Sequence, residues 1–240
     1  MEVRVYKTAE ETCEQLALLL SKMTGQQSAM DDIQCTDSLC VALSGGSTPK
    51  LLFRIMAEQF RNTNWSKIRF FWVDERMVPP EDEESNFGEF YRILVTSGVV
   101  PEASLYPVRY NENEKLALLE ADAVIRTNVP FVNGYPCFDL IILGIGEDGH
   151  TASIFPDNLQ SFDCADIVEI AVHPQTKQHR ITLTGTTINN AREIIFLCTG
   201  AGKKEILNSV LKEKDPMLPA THVAPSGNLM FMLDEAAVPG

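Results

Sequence analysis

Four times along this chain a run of five or six mostly apolar residues gives way at once to a polar turn. Leu39–Leu43 meets Ser-Gly-Gly-Ser-Thr-Pro, and Ile68–Val73 meets Asp74-Glu75-Arg76. Phe138–Leu143 meets a glycine-rich loop ending in His150, and Ile194–Cys198 meets Thr-Gly-Ala-Gly-Lys-Lys. Runs so short and so continuously apolar suit strands buried on both faces, the strands of a parallel sheet covered by helices. Helical spacing fills the intervals. Thr8 and Glu11 form a capping box before Cys13, Leu16, Ala17, Leu20 and Met23. Leu51, Leu52, Ile55 and Met56 mark a second helix, with Thr48 as N-cap and Pro49 as its first residue. Residues 112–128 are expected to turn Leu116, Leu119, Ala123 and Val124 inward, and Ile206, Leu207 and Val210 mark a later helix.

Further strands are expected at Val3–Tyr6, Ser104–Val108, Ile167–Val172, Arg180–Thr184 and Leu229–Leu233, with a polar link over 26–38. Strands alternating with helices imply a three-layer α/β fold, a mainly parallel sheet with helices on both faces. No repeat, low-complexity tract or break in composition divides the chain, so residues 1–240 are read as one domain.

Charge narrows the partners. With 33 acidic against 20 basic residues the net charge is −13, a field that opposes nucleic acid and anionic membranes. A small anionic ligand needs only a few local cations and stays allowed. The six cysteines form no C-x-x-C pair and no zinc spacing, and are read as reduced thiols. The opening residues MEVRVYKTAEETCEQ have no apolar core of signal-peptide kind, and no run is long enough to span a membrane. A cytoplasmic protein is expected, as a monomer or small homo-oligomer.

The polar turns carry the chemistry. In a parallel sheet all carboxyl ends share one edge, where ligands bind in open α/β folds, so the four clusters can meet there. Gly45, Gly46, Ser47 and Thr48 join a strand to a helix N-terminus, whose free amides and dipole favour an anion. A helix cap without a ligand has the same pattern, and the segment is no Walker A loop. Asp74 and Arg76 read as a local ion pair or as site residues. Lys203, in the first turn of a helix where a cation is unfavourable, points to an anionic partner or to plain solvent exposure. His150 brings a group that titrates near neutral pH, beside Glu147 and Asp148. His173 and His179 flank a polar loop and are read as exposed.

The segments LSGGSTPK, FFWVDERMVPP with SNF, FDLIILGIGEDGHTASIFP, HRITLTGTTINNA and FLCTGAGKKEIL, in this order, resemble the 6-phosphogluconolactonase family. LPATHVAP and MLDEAA add support, and DGHTAS-Ile-Phe-Pro is the most specific piece. Gly185-Thr186 stands where the family often has leucine-proline, and Met230-Phe231-Met232 where it often has a tryptophan.

The resemblance implies a fold shared with glucosamine-6-phosphate isomerase/deaminases and a metal-independent, cofactor-free hydrolysis of 6-phospho-D-glucono-1,5-lactone. It makes His150 the general base on water, with Asp148 or Glu147 holding its tautomer. Asp74 is assigned to the sugar hydroxyls. Gly45, Gly46, Ser47, Thr48, Arg76, Arg180 and Lys203 are assigned to the phosphate and sugar. Ser153 is read as part of a short helix and not as a nucleophile, since no G-x-S-x-G elbow exists. Two rivals remain: an amino-sugar-phosphate isomerase/deaminase using the same loops, and a non-catalytic sugar-phosphate sensor. Thr-Ala-Ser-Ile-Phe-Pro after the histidine, and Glu-Arg after Asp74, favour the lactonase over the first.

Overall fold

Six of the expected apolar runs lie side by side in one sheet. The computed structural model of the chain describes residues 1–25 and 38–240, so the expected link over 26–38, apart from Ser38, lies outside the described residues. The elements begin with β1 (Glu2–Tyr6), α1 (Ala9–Gly25), β2 (Leu39–Leu43), α2 (Ser47–Gln59), β3 (Ile68–Trp72), β4 (Asp74–Arg76) and α3 (Asn86–Phe90). They continue with α4 (Glu114–Asn128), a small hairpin of β5 (Phe131–Val132) and β6 (Tyr135–Pro136), and β7 (Leu140–Leu143). Then come β8 (Val168–Val172), β9 (His179–Leu183), α5 (Gly185–Asn189), β10 (Glu193–Cys198), α6 (Lys204–Asn208) and β11 (Asn228–Asp234).

The large sheet runs β1-β11-β10-β7-β2-β3, and its ladders are parallel. Side chains along each strand alternate between two cores. Ala42, Phe71, Ile141, Leu143, Phe196 and Phe231 face one core, shared with α4 and α6. Val41, Leu43, Phe70, Leu140, Ile142, Ile195 and Leu197 face the other, shared with α1 and α2. This is the three-layer arrangement the alternating pattern predicts. Among the described residues no helix is long and apolar enough to cross a membrane.

From β2 the chain steps to β3 on one side, whereas from β7 it steps to β10 on the other. The gap between β2 and β7 is therefore the switch point, and the loops leaving these two strands part there to open a crevice. Gly46 enters α2 with φ +108°, a conformation that glycine reaches without a Cβ penalty. The helix thus starts at Ser47 with Gly46 as its N-cap, not at the expected Pro49 with Thr48 as N-cap. The Thr48 hydroxyl instead meets that of Thr199 at 2.9 Å, which ties the β2 loop to the β10 loop. The expected cap of α1 is present, with the Glu11 amide donating to Thr8 Oγ1 at 3.2 Å.

The structure differs from the pattern in four further places. The charged residues after β3 are not a loop: Asp74–Arg76 forms β4, which pairs antiparallel with β9, and β8 completes a second sheet. Val73 makes the transfer, donating to Leu43 O at 2.9 Å and accepting from Leu183 N at 2.7 Å. Ser104–Val108 is not a regular strand; a turn of 3-10 helix over Glu102–Ser104 leads to a single bridge between Leu105 and Phe70. Prolines at 101 and 107 deny this segment the amides a ladder needs.

Helix α4 buries Ala117, Ala121 and Ile125, while Leu116 and Leu119 are 48% and 65% exposed and Ala123 faces out. Of the residues expected inward, only Val124 packs partly against the core. Two alanines on the inner face let the helix approach a core already filled by Phe71 and Phe138, where leucines would overfill it. Finally, Thr151–Ile154 is a tight turn closed by an Ile154 N–H to Thr151 O bond of 2.9 Å, not a helix, with Ala152 at φ +51°.

Candidate active site

The crevice at the switch point is a cleft of about 260 Å³. Its walls hold Gly45, Gly46, Ser47 and Thr48 from the β2 loop, Asp74 and Arg76 from β4, and His150 from the β7 loop. Arg180 from β9 and Lys203 after β10 complete the set. Leaving aside Glu147, the alternative to Asp148, nine of the ten residues assigned to the site from the sequence therefore share one cavity. The tenth, Asp148, stands behind the histidine.

The His150 loop is built to hold one ring orientation. The Gly146 amide donates to His150 O at 2.8 Å and the Gly149 amide to Gly146 O at 3.1 Å. Gly149 sits at φ +81°. Asp148 Oδ1 lies 2.6 Å from His150 Nδ1 and accepts the His150 amide at 3.1 Å. A carboxylate can only accept, so the neutral imidazole carries its proton on Nδ1 and turns a basic Nε2 elsewhere. The bond to Nδ1 comes from Asp148 and not from the alternative orienter, Glu147, which is exposed. Burial would push the Asp148 carboxyl up, but the His150 ring and amide beside it outweigh burial and hold it below the usual range. Phe155 backs the imidazole with ring centroids 5.0 Å apart.

The same cleft is cationic. Arg76 and Arg180 are cross-strand partners in the β4–β9 ladder, which brings two guanidinium groups to one wall. Arg76 donates through Nη1 to Glu84 O at 2.6 Å, and Arg180 through Nη2 to Gln178 Oε1 at 3.2 Å. The Nε atoms of both are buried with no hydrogen-bond partner among the described residues. Buried donors of this kind are costly unless an acceptor arrives. Lys203 donates to Ile145 O at 2.6 Å, which draws its ammonium to the β7 loop at the cleft. The antiparallel ladder is what the sequence did not reveal: Arg180 lies over 100 residues from Arg76, and only the second sheet aligns them.

Three more residues belong to this wall. Asn86 donates to Asp74 O at 3.0 Å, and a Cβ on Gly45 would fall 1.8 Å from Asn86 Oδ1, so a side chain there would displace the Asn86 amide. Glu75 is buried behind Asp74 and accepts from the amides of Arg76, Asn86 and Phe87 at 2.7, 2.9 and 2.8 Å. Ser153, fully buried, donates to Asp74 Oδ2 at 2.7 Å. Asn86 and Ser153 lie within the family-like segments, but their partners are 12 and 79 residues away, beyond any local pattern. Cys198 also borders the cleft, and burial pushes its thiol up to about 12, leaving it a protonated apolar neighbour. His179, expected as a loop residue, is exposed and bonds Glu114 at 2.7 Å.

Chemically, the cleft combines an oriented imidazole, several anion donors and a buried carboxylate. It suits a small anionic substrate that must be held at one end while water attacks the other.

Comparison with known proteins agrees with this reading. Residues 7–232 match the family model for glucosamine-6-phosphate isomerases/6-phosphogluconolactonase. A 6-phosphogluconolactonase of Treponema pallidum is 40% identical over 188 residues, covering 78% of this chain and 78% of that protein. One from Haemophilus influenzae is 39% identical over 203 residues, covering 82% and 85%. The crystal structure of 6-phosphogluconolactonase from Leishmania guyanensis superposes with a TM-score of 0.83 at 26% identity, covering 98% of this chain and 97% of that one.

Proposed function

Since the chain belongs to the family of glucosamine-6-phosphate isomerases and 6-phosphogluconolactonases, we propose that it opens 6-phospho-D-glucono-1,5-lactone to 6-phospho-D-gluconate. The lactonase reading is favoured over the isomerase/deaminase one, because the similar curated relatives carry the lactonase name. The observation that carries it is the His150–Asp148 pair at 2.6 Å, with His150 lining the same cleft as Arg76 and Arg180.

In this reading the phosphate docks on Arg76, Arg180, Lys203 and the amides and hydroxyls of Gly45 to Thr48, where bidentate guanidinium contacts suit its geometry. Asp74 accepts from sugar hydroxyls. Remote binding at the phosphate fixes the lactone carbonyl beside His150 and converts affinity into orientation. His150 Nε2 takes a proton from water while the water oxygen bonds to C1, giving a tetrahedral oxyanion. Collapse of that oxyanion breaks the bond from C1 to the ring oxygen, which receives the proton back from the imidazolium. The acid so formed ionises to the gluconate. Asp148 stays a carboxylate and stabilises the transient imidazolium.

We read residues 1–240 as one domain working in the cytoplasm without cofactor or metal, as a monomer or small homo-oligomer. The net charge of −13 opposes nucleic acid and anionic membranes as partners, while Arg76, Arg180 and Lys203 in the cleft supply the local cations a small sugar phosphate needs.

The test compares wild type with His150→Ala on freshly made lactone, with spontaneous hydrolysis subtracted. Turnover is expected to fall by about 10²–10⁴-fold, with 6-phosphogluconate binding nearly intact and no effect of a chelator. Unchanged turnover in the mutant removes His150 as base, and ammonia release from glucosamine 6-phosphate by wild type restores the deaminase reading.

A further inference from the structure

Ser153 has no exposed surface, yet its hydroxyl lies between the two oppositely charged side chains of the cationic wall. Its Oγ is 2.7 Å from Asp74 Oδ2 and 3.4 Å from Arg180 Nη1. A carboxylate only accepts and a guanidinium only donates, so the hydroxyl donates to Asp74 and accepts from Arg180. Asp74 and Arg180 themselves stand 3.9 Å apart, outside hydrogen-bond range. Left alone, such a pair in a buried setting closes to a direct bidentate contact at about 2.7–2.9 Å.

We propose that Ser153 is a positioning residue, a spacer that holds Arg180 off Asp74 and so keeps its guanidinium available to the phosphate end of the substrate. The inference rests on the lactonase reading for the substrate's name, not for the anion. Four observations support it. The Ser153 amide donates to Thr182 Oγ1 at 3.1 Å, and the turn at Ala152 (φ +51°) sets the hydroxyl where it is. Gln178 Oε1 takes Arg180 Nη2, and the Phe155 ring lies 5.8 Å from the guanidinium carbon, which restrict sliding of the group. Arg180 Nε, buried without a partner, is a donor waiting for an acceptor. Asp74 keeps its own place through the backbone contact with Asn86. Removing the hydroxyl frees Arg180 to collapse onto Asp74, which consumes the donors the anion needs and the acceptor the sugar needs.

Ser153→Ala tests this with two substrates, the product and one ion. KM for the phosphorylated lactone and the dissociation constants of 6-phosphogluconate and inorganic phosphate are expected to rise about 10-fold, with kcat changed less than about 2-fold. Turnover of unphosphorylated glucono-1,5-lactone, which loses only the Asp74 acceptor and not the anion donors, should fall by a clearly smaller factor. Ser153→Thr, which keeps the hydroxyl, should restore most of the phosphate affinity. Ser153→Cys, similar in size but a poor donor, should behave as the alanine variant does and serves if that variant fails to fold. Equal losses on both lactones would mean a merely structural serine and overturn the proposal, as would unaltered phosphate affinity. Should wild type leave the lactone untouched, the lactonase reading fails, and calorimetric titration with inorganic phosphate still decides whether Ser153 governs the anion site.

Discussion

A Cβ built on Gly146 falls 2.1 Å from His150 Nδ1, 2.2 Å from its Cε1 and 2.7 Å from Asp148 Oδ1. Those are contacts no side chain tolerates, and the atoms concerned form the bond that orients the base. Gly146→Ala is therefore expected to displace the imidazole and lower kcat, while Arg76, Arg180 and Lys203 keep their hold on the product. Kinetics paired with 6-phosphogluconate titration check this, and a loss of binding equal to the loss of turnover would refute it. The sequence marks Gly146 as a turn residue through its neighbours Gly144 and Gly149. That it must be glycine because a ring stacks over it is visible only in three dimensions. The same holds for Asp148 and Glu147: adjacency in the chain left them equivalent, and the turn at Gly149 aims one at the imidazole and the other at solvent.

Helices and strands were legible where burial is two-sided and ambiguous where it is not. Continuous runs such as Leu140–Leu143 have no polar face to misassign, and they sit where the pattern puts them. Helix α4 offers two apolar stripes, and the choice between them depends on how much room the sheet leaves. The buried stripe is the one with alanines at 117 and 121. Leu119→Lys should then change stability by no more than about 0.5 kcal/mol, whereas Ala121→Leu should cost about 1–3 kcal/mol through overpacking. Urea denaturation of both variants measures the difference, and a larger loss at 119 than at 121 would reverse the assignment. Strand β4 shows the opposite failure. Asp-Glu-Arg reads as loop because its charges are counted one by one, but Asp74 and Glu75 are buried with their bonds satisfied by Ser153, Ser85, Asn86 and Phe87.

For the molecule as a whole, Glu75 links the site wall to global stability. Burial pushes its carboxyl up to about 7 from an ordinary 4.5, with Asp74 adding to the rise, although three amides pull the other way. Its native value lies above the unfolded one, so between about 4.5 and 7 the folded chain holds a proton that the unfolded chain has released. By linkage this group's contribution to stability is greatest below pH 4.5 and declines as pH rises through 7, a change on the order of 3 kcal/mol. Glu75→Gln removes the titration. The difference in unfolding free energy between wild type and mutant should shrink in that sense from pH 5 to pH 8, and a constant difference would show Glu75 ionised throughout. The switch point between β2 and β7 is also a property of the whole fold, since it exists only once six strands have taken their order.

The sequence by itself determined the α/β class, the buried strands, the glycine turn after β2 and the family, because these rest on local burial, turn chemistry and contiguous motifs. Tertiary structure alone decided the second sheet that sets Arg180 opposite Arg76, the carboxylate that orients His150, and the hydroxyl of Ser153 between Asp74 and Arg180. Each of these is a distance between side chains whose separation along the chain carries no information about their separation in space.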